Sequence, residues 1–413
     1  MPLIVQKFGG TSVADAERIH RAARRAIAAK EKGNHVVVVV SAMGDTTDDL
    51  IDLARQVCTY NGSEIQPPKR EMDQLLVTGE QVTIALMAMA ICAQGHGAIS
   101  FTGGQIGLVT DAAFSKARIQ SINKQRIFDQ LEHGKVVIVA GFQGVTETGD
   151  YTTLGRGGSN ATLVAVGATL GADVCENYTD VDGIYTADPR VVKNARKIDR
   201  ISYDEMLELS GLGASVLQTR AVEFAKKYNV PIHVRNSQNE TEGTWIVAET
   251  PTMEHIVVSG AALKKDLTRV TIKAVPDHPG VAAKIFGDIA TANVVVDDII
   301  QNVFEDGTAN ISFTVEHGDL ADLKSVVDRI VKELGAGSKA IYHGDLAKVS
   351  VVGVGMRTHT GVAQRMFKAL ADAKINIQNI STSEIKISCI IDKEQGATAL
   401  QVVHDAFELG KAR

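Results

Sequence analysis

The chain has 413 residues, 45% hydrophobic and 22% charged, with a formal net charge of −6. That length exceeds what one ordinary core fills and predicts two or three folded units, of globular rather than disordered composition. The small net charge and the lack of any Lys/Arg block exclude a nucleic-acid footprint.

The N-terminus runs from Pro2 into a strand-like Leu3-Ile4-Val5 without a basic leader, which predicts a cytoplasmic protein. Buried-strand runs follow at Leu3–Gln6, Val36–Val40, Ala98–Phe101, Val136–Ala140 and Val174–Asn177. Helical patterns lie between them at Ala14–Lys32, Glu71–Ala93, Lys124–His133 and Asn160–Leu170. Five consecutive valines at 36–40 demand a strand covered on both faces, hence a mostly parallel sheet in a three-layer αβα sandwich. The most apolar run, Val82–Ala93, is 12 residues, against the roughly 20 of a membrane span. It reads as a buried helix. Cys58, Cys92, Cys175 and Cys389 form no CxxC pair, so neither disulfides nor a zinc site is expected, and no protein metal ligand is assigned.

After Pro251 the pattern changes. Gly280-Val281-Ala282 with Phe286 recurs as Gly361-Val362-Ala363 with Phe367, an offset of 81 residues that continues through Ala290/Ala371, Val294/Ile375 and Ile299/Ile380. Each copy reads as βαββα, which predicts two α+β ferredoxin-like modules. Expected boundaries are 1–250, 265–345 and 346–413, with 256–262 able to pair with either module.

Two glycine-rich turns join strands to helices. Lys7-Phe8-Gly9-Gly10-Thr11-Ser12 offers close backbone approach, a point charge and a helix N-terminus, although Thr11 or Ser12 is equally a plain N-cap. Gly155-Arg156-Gly157-Gly158-Ser159-Asn160 brackets an arginine whose planar fork suits a carboxylate or phosphate. Either turn alone is more often structural than phosphate-binding. The aspartates of Thr179–Arg190 lack EF-hand spacing and suit a turn-rich loop near a nucleotide. Ser41 and Thr47 follow the valine strand, where α/β sheets place substrates, and Glu80 lies near the start of the apolar helix.

As a set, KFGGTSV (7–13), VVVVSAMGDTTDDL (37–50), REMDQLLVTGEQ (70–81), TTLGRGGSN (152–160) and YTDVDGIYTADPR (178–190) resemble the aspartate kinase family of the amino-acid kinase superfamily. The repeats resemble its paired ACT domains. The resemblance implies that Mg-ATP phosphorylates the β-carboxylate of L-aspartate, with ATP and Mg2+ as cofactors. Lys7, Phe8, Gly9, Gly10, Thr179, Asp180, Tyr185, Pro189, Arg190 and Ser215 would border ATP. Arg156, with Ser41, Thr47, Glu80, Phe142 and Ser159, would hold aspartate, and Asn160 would join Lys7 and Arg156 in the catalytic set. In the repeats, Asp277, Pro279 and Gly280 resemble the effector turn. Val295, Val296, Asp297, Gln301 and Asn302 would lie on the contacting strand, with Asn376, Ile377 and Gln378 their counterparts. Lysine and/or threonine as effectors, a homodimer or α2β2 assembly through the ACT domains, and no nucleic-acid or membrane partner are implied. Met253 resembles an internal start for a separate small subunit.

Two positions depart from the family pattern: Asn160 stands where its motif has Asp, and Ser215 where it has Lys. An active aspartate kinase, a kinase for another small carboxylate and a non-catalytic amino-acid-sensing subunit are the three readings that follow.

Overall fold

Val36 to Val40 are all essentially inaccessible, because their strand lies inside an eight-stranded sheet. In this computed structural model, residues 1–212, 216–249, 256–292, 294–335 and 337–411 are described. The strand order is Arg200–Ser202, Thr244–Val247, Ile232–Asn236, Val174–Thr179, Leu3–Phe8, His35–Val40, Val136–Ala140 and Ala98–Phe101. All neighbours run parallel except Ile232–Asn236 against Thr244–Val247. One face packs on Ala16–Glu31 and Lys69–Cys92 through Phe8, Ile19, Val36, Val38, Ile84, Met87 and Ile138. Because side chains alternate, Val37 and Val39 point to the opposite face. Gly158–Leu170 lies against the central strands, so close that a Cβ on Gly167 would collide with Cys175 Sγ. Lys69–Cys92 is long and apolar enough to cross a membrane, but half of its apolar stretch is buried within the protein. A second, four-stranded sheet joins Tyr151–Thr153, Gln143–Val145, Val109–Thr110 and Ile119–Ser121.

The chain divides into two compact units, residues 1–185 with 197–255, and residues 186–196 with 256–413. In the second, both repeats share one six-stranded sheet. Its two long strands, Gly260–Pro276 and Lys339–Val352, are each used twice. The latter half of the first pairs with Thr308–Glu316 and with residues 339–343, completing the first copy. Its earlier half, Gly260–Lys264, pairs with 348–352, beside Lys386–Asp392. The segment at 256–262 therefore goes to the second copy, whose core holds Val258 and Ala261 beside Val349, Met366 and Val403. The first copy runs βαββαβ and is closed by residues 339–343, while the second runs βαββα and takes Gly260–Lys264, from ahead of the first repeat, as its added strand. Lys348, 1% exposed, pairs with Asp297 and, at 3.1 Å, with Asp298, tying the copies by buried charge. Ala187 and Val192 of the 186–196 segment join the second copy's core, and Thr186 Oγ1 lies 3.0 Å from the buried His404 Nε2.

Candidate active site at the carboxyl edge of the sheet

Parallel register sets the site. Phe8 lies level with Val40 and Tyr178, and Val40 with Ala140, so four adjacent strands end together. The loops beginning at Gly9, Ser41, Gly141 and Asp180 therefore converge, at the place where open α/β sheets bind ligands.

Lys7 is the last charged residue before that edge and is 8% exposed. Burial lowers its ammonium to a pKa of about 8, against the opposing pull of Asp180. Its Nζ lies over Gly9, 3.3 Å from where a Cβ would stand. Phe8 stacks on Tyr178 at 4.7 Å between ring centres. Gly10 serves close approach: a Cβ there would lie 2.9 Å from the carbonyl oxygens of Ala42 and Gly44. The first helix does not start at this turn. A 3-10 turn over Gly10–Ser12 intervenes, and the helix begins at Ala16, capped by the Asp15 side chain, which accepts the Arg18 N–H at 2.8 Å. Neither Thr11 nor Ser12 is the N-cap.

The second turn differs. Gly155 and Gly157 adopt φ +81° and +73°, and the helix starts at Gly158 with no side-chain cap. Gly158 N–H and Asn160 N–H donate back to the Gly155 and Gly157 carbonyls at 2.9 Å each, so of the first three amides only Ser159 N–H is left for an anion. Ser159 Oγ accepts from Ser41 Oγ at 3.0 Å, and Gly141 makes room for both, since a Cβ there would lie 2.7 Å from Ser159 Oγ. Phe142 is held at φ +68°, its N–H donating to Thr162 Oγ1 at 3.1 Å. Asn160 is buried, with its Oδ1 lacking any partner.

Glu80, 2% exposed, accepts the Ala42 N–H at 3.0 Å through Oε1, while its Oε2 is buried and unpartnered. Burial outweighs that hydrogen bond and raises its pKa to about 8. A carboxylate held partly protonated with one bare oxygen is poised for a cationic partner.

The sequence-predicted residues divide into three groups. Lys7, Gly9, Gly10, Ser41, Glu80, Phe142, Ser159, Asn160, Thr179 and Asp180 gather around this edge. Thr47 is half-buried in the helix Thr46–Cys58, and Tyr185 bridges to Lys197. Arg156 projects into solvent, 94% exposed, with Asp48 at 4.0 Å. Pro189 and Arg190 belong to the second unit, where Arg190 forks onto Asp188 at 3.0 and 2.9 Å. Ser215 and Met253 lie outside the described residues.

Sequence reasoning passed over Asp73, Tyr178 and Gln218. Asp73 is an acidic residue among the buried positions of an apolar helix, a signal that was available.

In the second unit, a concavity of about 360 Å³ is lined by Asp277, His278, Pro279, Gly280, Gln301 and Ile311. Gln301 Nε2 donates to Asp277 Oδ1 at 3.1 Å. Val295, Val296 and Asn376 to Gln378, expected on strands, precede them: the strands begin at Asp297 and Asn379. Asn302 is an exposed strand residue paired with Asn310.

The amino acid kinase family model matches residues 2–236, and ACT domain models match 268–335 and 349–407. An aspartate kinase of Stutzerimonas stutzeri is 53% identical over 410 residues, covering 99% of this chain and 98% of its own. An aspartokinase of Pseudomonas aeruginosa is 52% identical over 411 residues, with the same coverage of 99% and 98%. The chain belongs to the aspartate kinase family. Among solved structures, E. coli aspartokinase III in complex with aspartate and ADP superposes with a TM-score of 0.84 at 25% identity, over 98% of this chain and 99% of that one. The chain is accordingly an ATP-dependent kinase with an amino-acid kinase fold followed by two ACT domains.

Proposed function

We propose that the chain transfers the γ-phosphoryl group of Mg-ATP to the β-carboxylate of L-aspartate, giving 4-phospho-L-aspartate, the first step toward lysine, threonine, methionine and diaminopimelate. The observation that carries this reading is the convergence at one sheet edge of a buried lysine, an uncapped helix N-terminus and a buried Glu80 with a bare oxygen. Lys7 and the Ser159 N–H suit the transferring phosphoryl group. Glu80 suits the aspartate ammonium, and Arg156, Ser41 and Ser159 suit its carboxylates. A carboxylate oxygen forms the new P–O bond as the bridging P–O bond to ADP breaks. No base is needed, so positioning and charge neutralisation supply the rate.

Among the described residues no three Asp, Glu, His or Cys side chains gather to hold a metal. Mg2+ would ride on the phosphates and water, with the unpartnered Asn160 Oδ1 as the protein oxygen that fits it. When bound, it neutralises phosphate charge. Thr179, Asp180 and Tyr185 would border the nucleotide. Lysine and/or threonine would occupy the concavity at Asp277, Gly280 and Gln301, in a cytoplasmic homodimer or α2β2 assembly.

Hydroxylamine trapping tests this. The full chain with Mg-ATP should yield hydroxamate from aspartate and far less from glutamate or acetylglutamate, and lysine or threonine should suppress it. Absence of hydroxamate from all three acids, with lysine or threonine still binding by calorimetry, would replace a kinase by a sensor.

A further inference from the structure

Asp73 and Glu80 sit seven residues apart on the helix Lys69–Cys92 and are 0% and 2% exposed. Seven residues are two turns, so both carboxylates project from one face, about 10 Å apart along the axis. Each grips a different loop. Glu80 holds the Ser41 loop through the Ala42 N–H. Asp73 accepts three hydrogen bonds: from Ser115 N–H at 2.8 Å, Thr153 N–H at 2.9 Å and Thr153 Oγ1 at 2.7 Å. Thr153 is three residues before Arg156. The same loop is held further on, by Gln218 Nε2 donating to the Arg156 carbonyl at 2.7 Å and by Arg220 Nη1 donating to Leu154 O at 3.5 Å.

We infer that Asp73 is a positioning residue that fixes substrate length. The helix acts as a ruler, with the loop that carries Arg156 at one mark and the ammonium-facing Glu80 at the other. The separation of the two marks decides which amino dicarboxylate spans them. Burial raises the Asp73 pKa, and its three donors oppose that shift, as suits an ionised clamp built into the core. The inference rests on the proposed reading of aspartate as substrate.

The test measures hydroxamate formation by the full chain over aspartate, glutamate and ATP concentration series. Variants are Thr153→Val, which removes one bond to Asp73 and keeps the side chain's shape, and Thr153→Ser, which restores the hydroxyl. Thr153→Val should raise the aspartate KM about tenfold, the scale of one charge-assisted hydrogen bond, and leave the ATP KM unchanged. Its preference for aspartate over glutamate should fall at least about threefold, because a loosened ruler discriminates one methylene less well. Thr153→Ser should return both to the wild-type values. If Thr153→Val does not accumulate as folded protein, Asp73→Asn answers the same question. An aspartate KM within twofold of wild type, or equal increases for aspartate and ATP, overturns the inference while leaving the kinase reading intact. A wild-type chain that turns over no aspartate removes both.

Discussion

The two glycine-rich turns look alike in sequence and differ in what their glycines do. At Gly9-Gly10 the missing side chain makes room for backbone: the Ala42–Gly44 loop passes where a Cβ would stand. At Gly155 and Gly157 the missing side chain permits left-handed dihedrals, which turn the chain directly into an uncapped helix. The first helix caps its N-terminus with the Asp15 side chain, whereas the second has no side-chain cap and leaves its Ser159 N–H for a ligand. The first turn contributes instead the Lys7 ammonium. One corner supplies charge, the other dipoles.

Replacing the charge should have the largest effect. Lys7→Met should lower kcat/KM by about 10³-fold, as expected for a preorganised group facing the transferred phosphate. Its melting temperature should stay the same or rise, since a buried amine is removed. A loss below tenfold would shift the weight of phosphate binding to the second corner. The glycines come next. Gly10→Ala sets a Cβ against two carbonyl oxygens at 2.9 Å and should cost about 2–3 kcal/mol in denaturant unfolding. Gly157→Ala meets only the flexible Gln218 side chain, at 3.1 Å, and should cost about 1 kcal/mol for its positive φ. Equal costs would erase the distinction between the corners.

The smallest effect is on pH dependence. Lys7 carries its charge only below a pKa of about 8, so kcat/KM for ATP should fall about tenfold per unit above that pH. Glu80 is ionised only above about 8, so kcat/KM for aspartate should climb as pH rises toward that value. Lys7→Arg should flatten the first limb and leave the second. Profiles flat from about pH 6 to about 9.5 would show that burial does not control either group.

Much of the kinase unit was legible because its signals are local. The valine run, the strands at 98–101 and 136–140, and the helices near 16–31 and 69–92 follow from periodicity and length. The strands Ile232–Asn236 and Thr244–Val247 are short, and their place between Arg200–Ser202 and Val174–Thr179 is decided by tertiary contacts rather than by local pattern. The first helix lies within the Ala14–Lys32 pattern, but its cap is Asp15 rather than the hydroxyl residues at 11 and 12, which the 3-10 turn takes up. Asp73 escaped notice because its partners lie 42 and 80 residues away. A carboxylate on an apolar helix face signals that such partners exist without saying which.

The strand exchange in the second unit governs how this chain can be cut. Residues 260–264 lie ahead of the first repeat in sequence yet close the sheet of the second. A fragment starting at Thr268 would leave Lys348 to Val352 with an open ladder on one side, although both repeated motifs were present. A piece that keeps the second copy closed has to start upstream of Val258, because Val258 and Ala261 belong to that copy's core and residues 260–264 to its sheet.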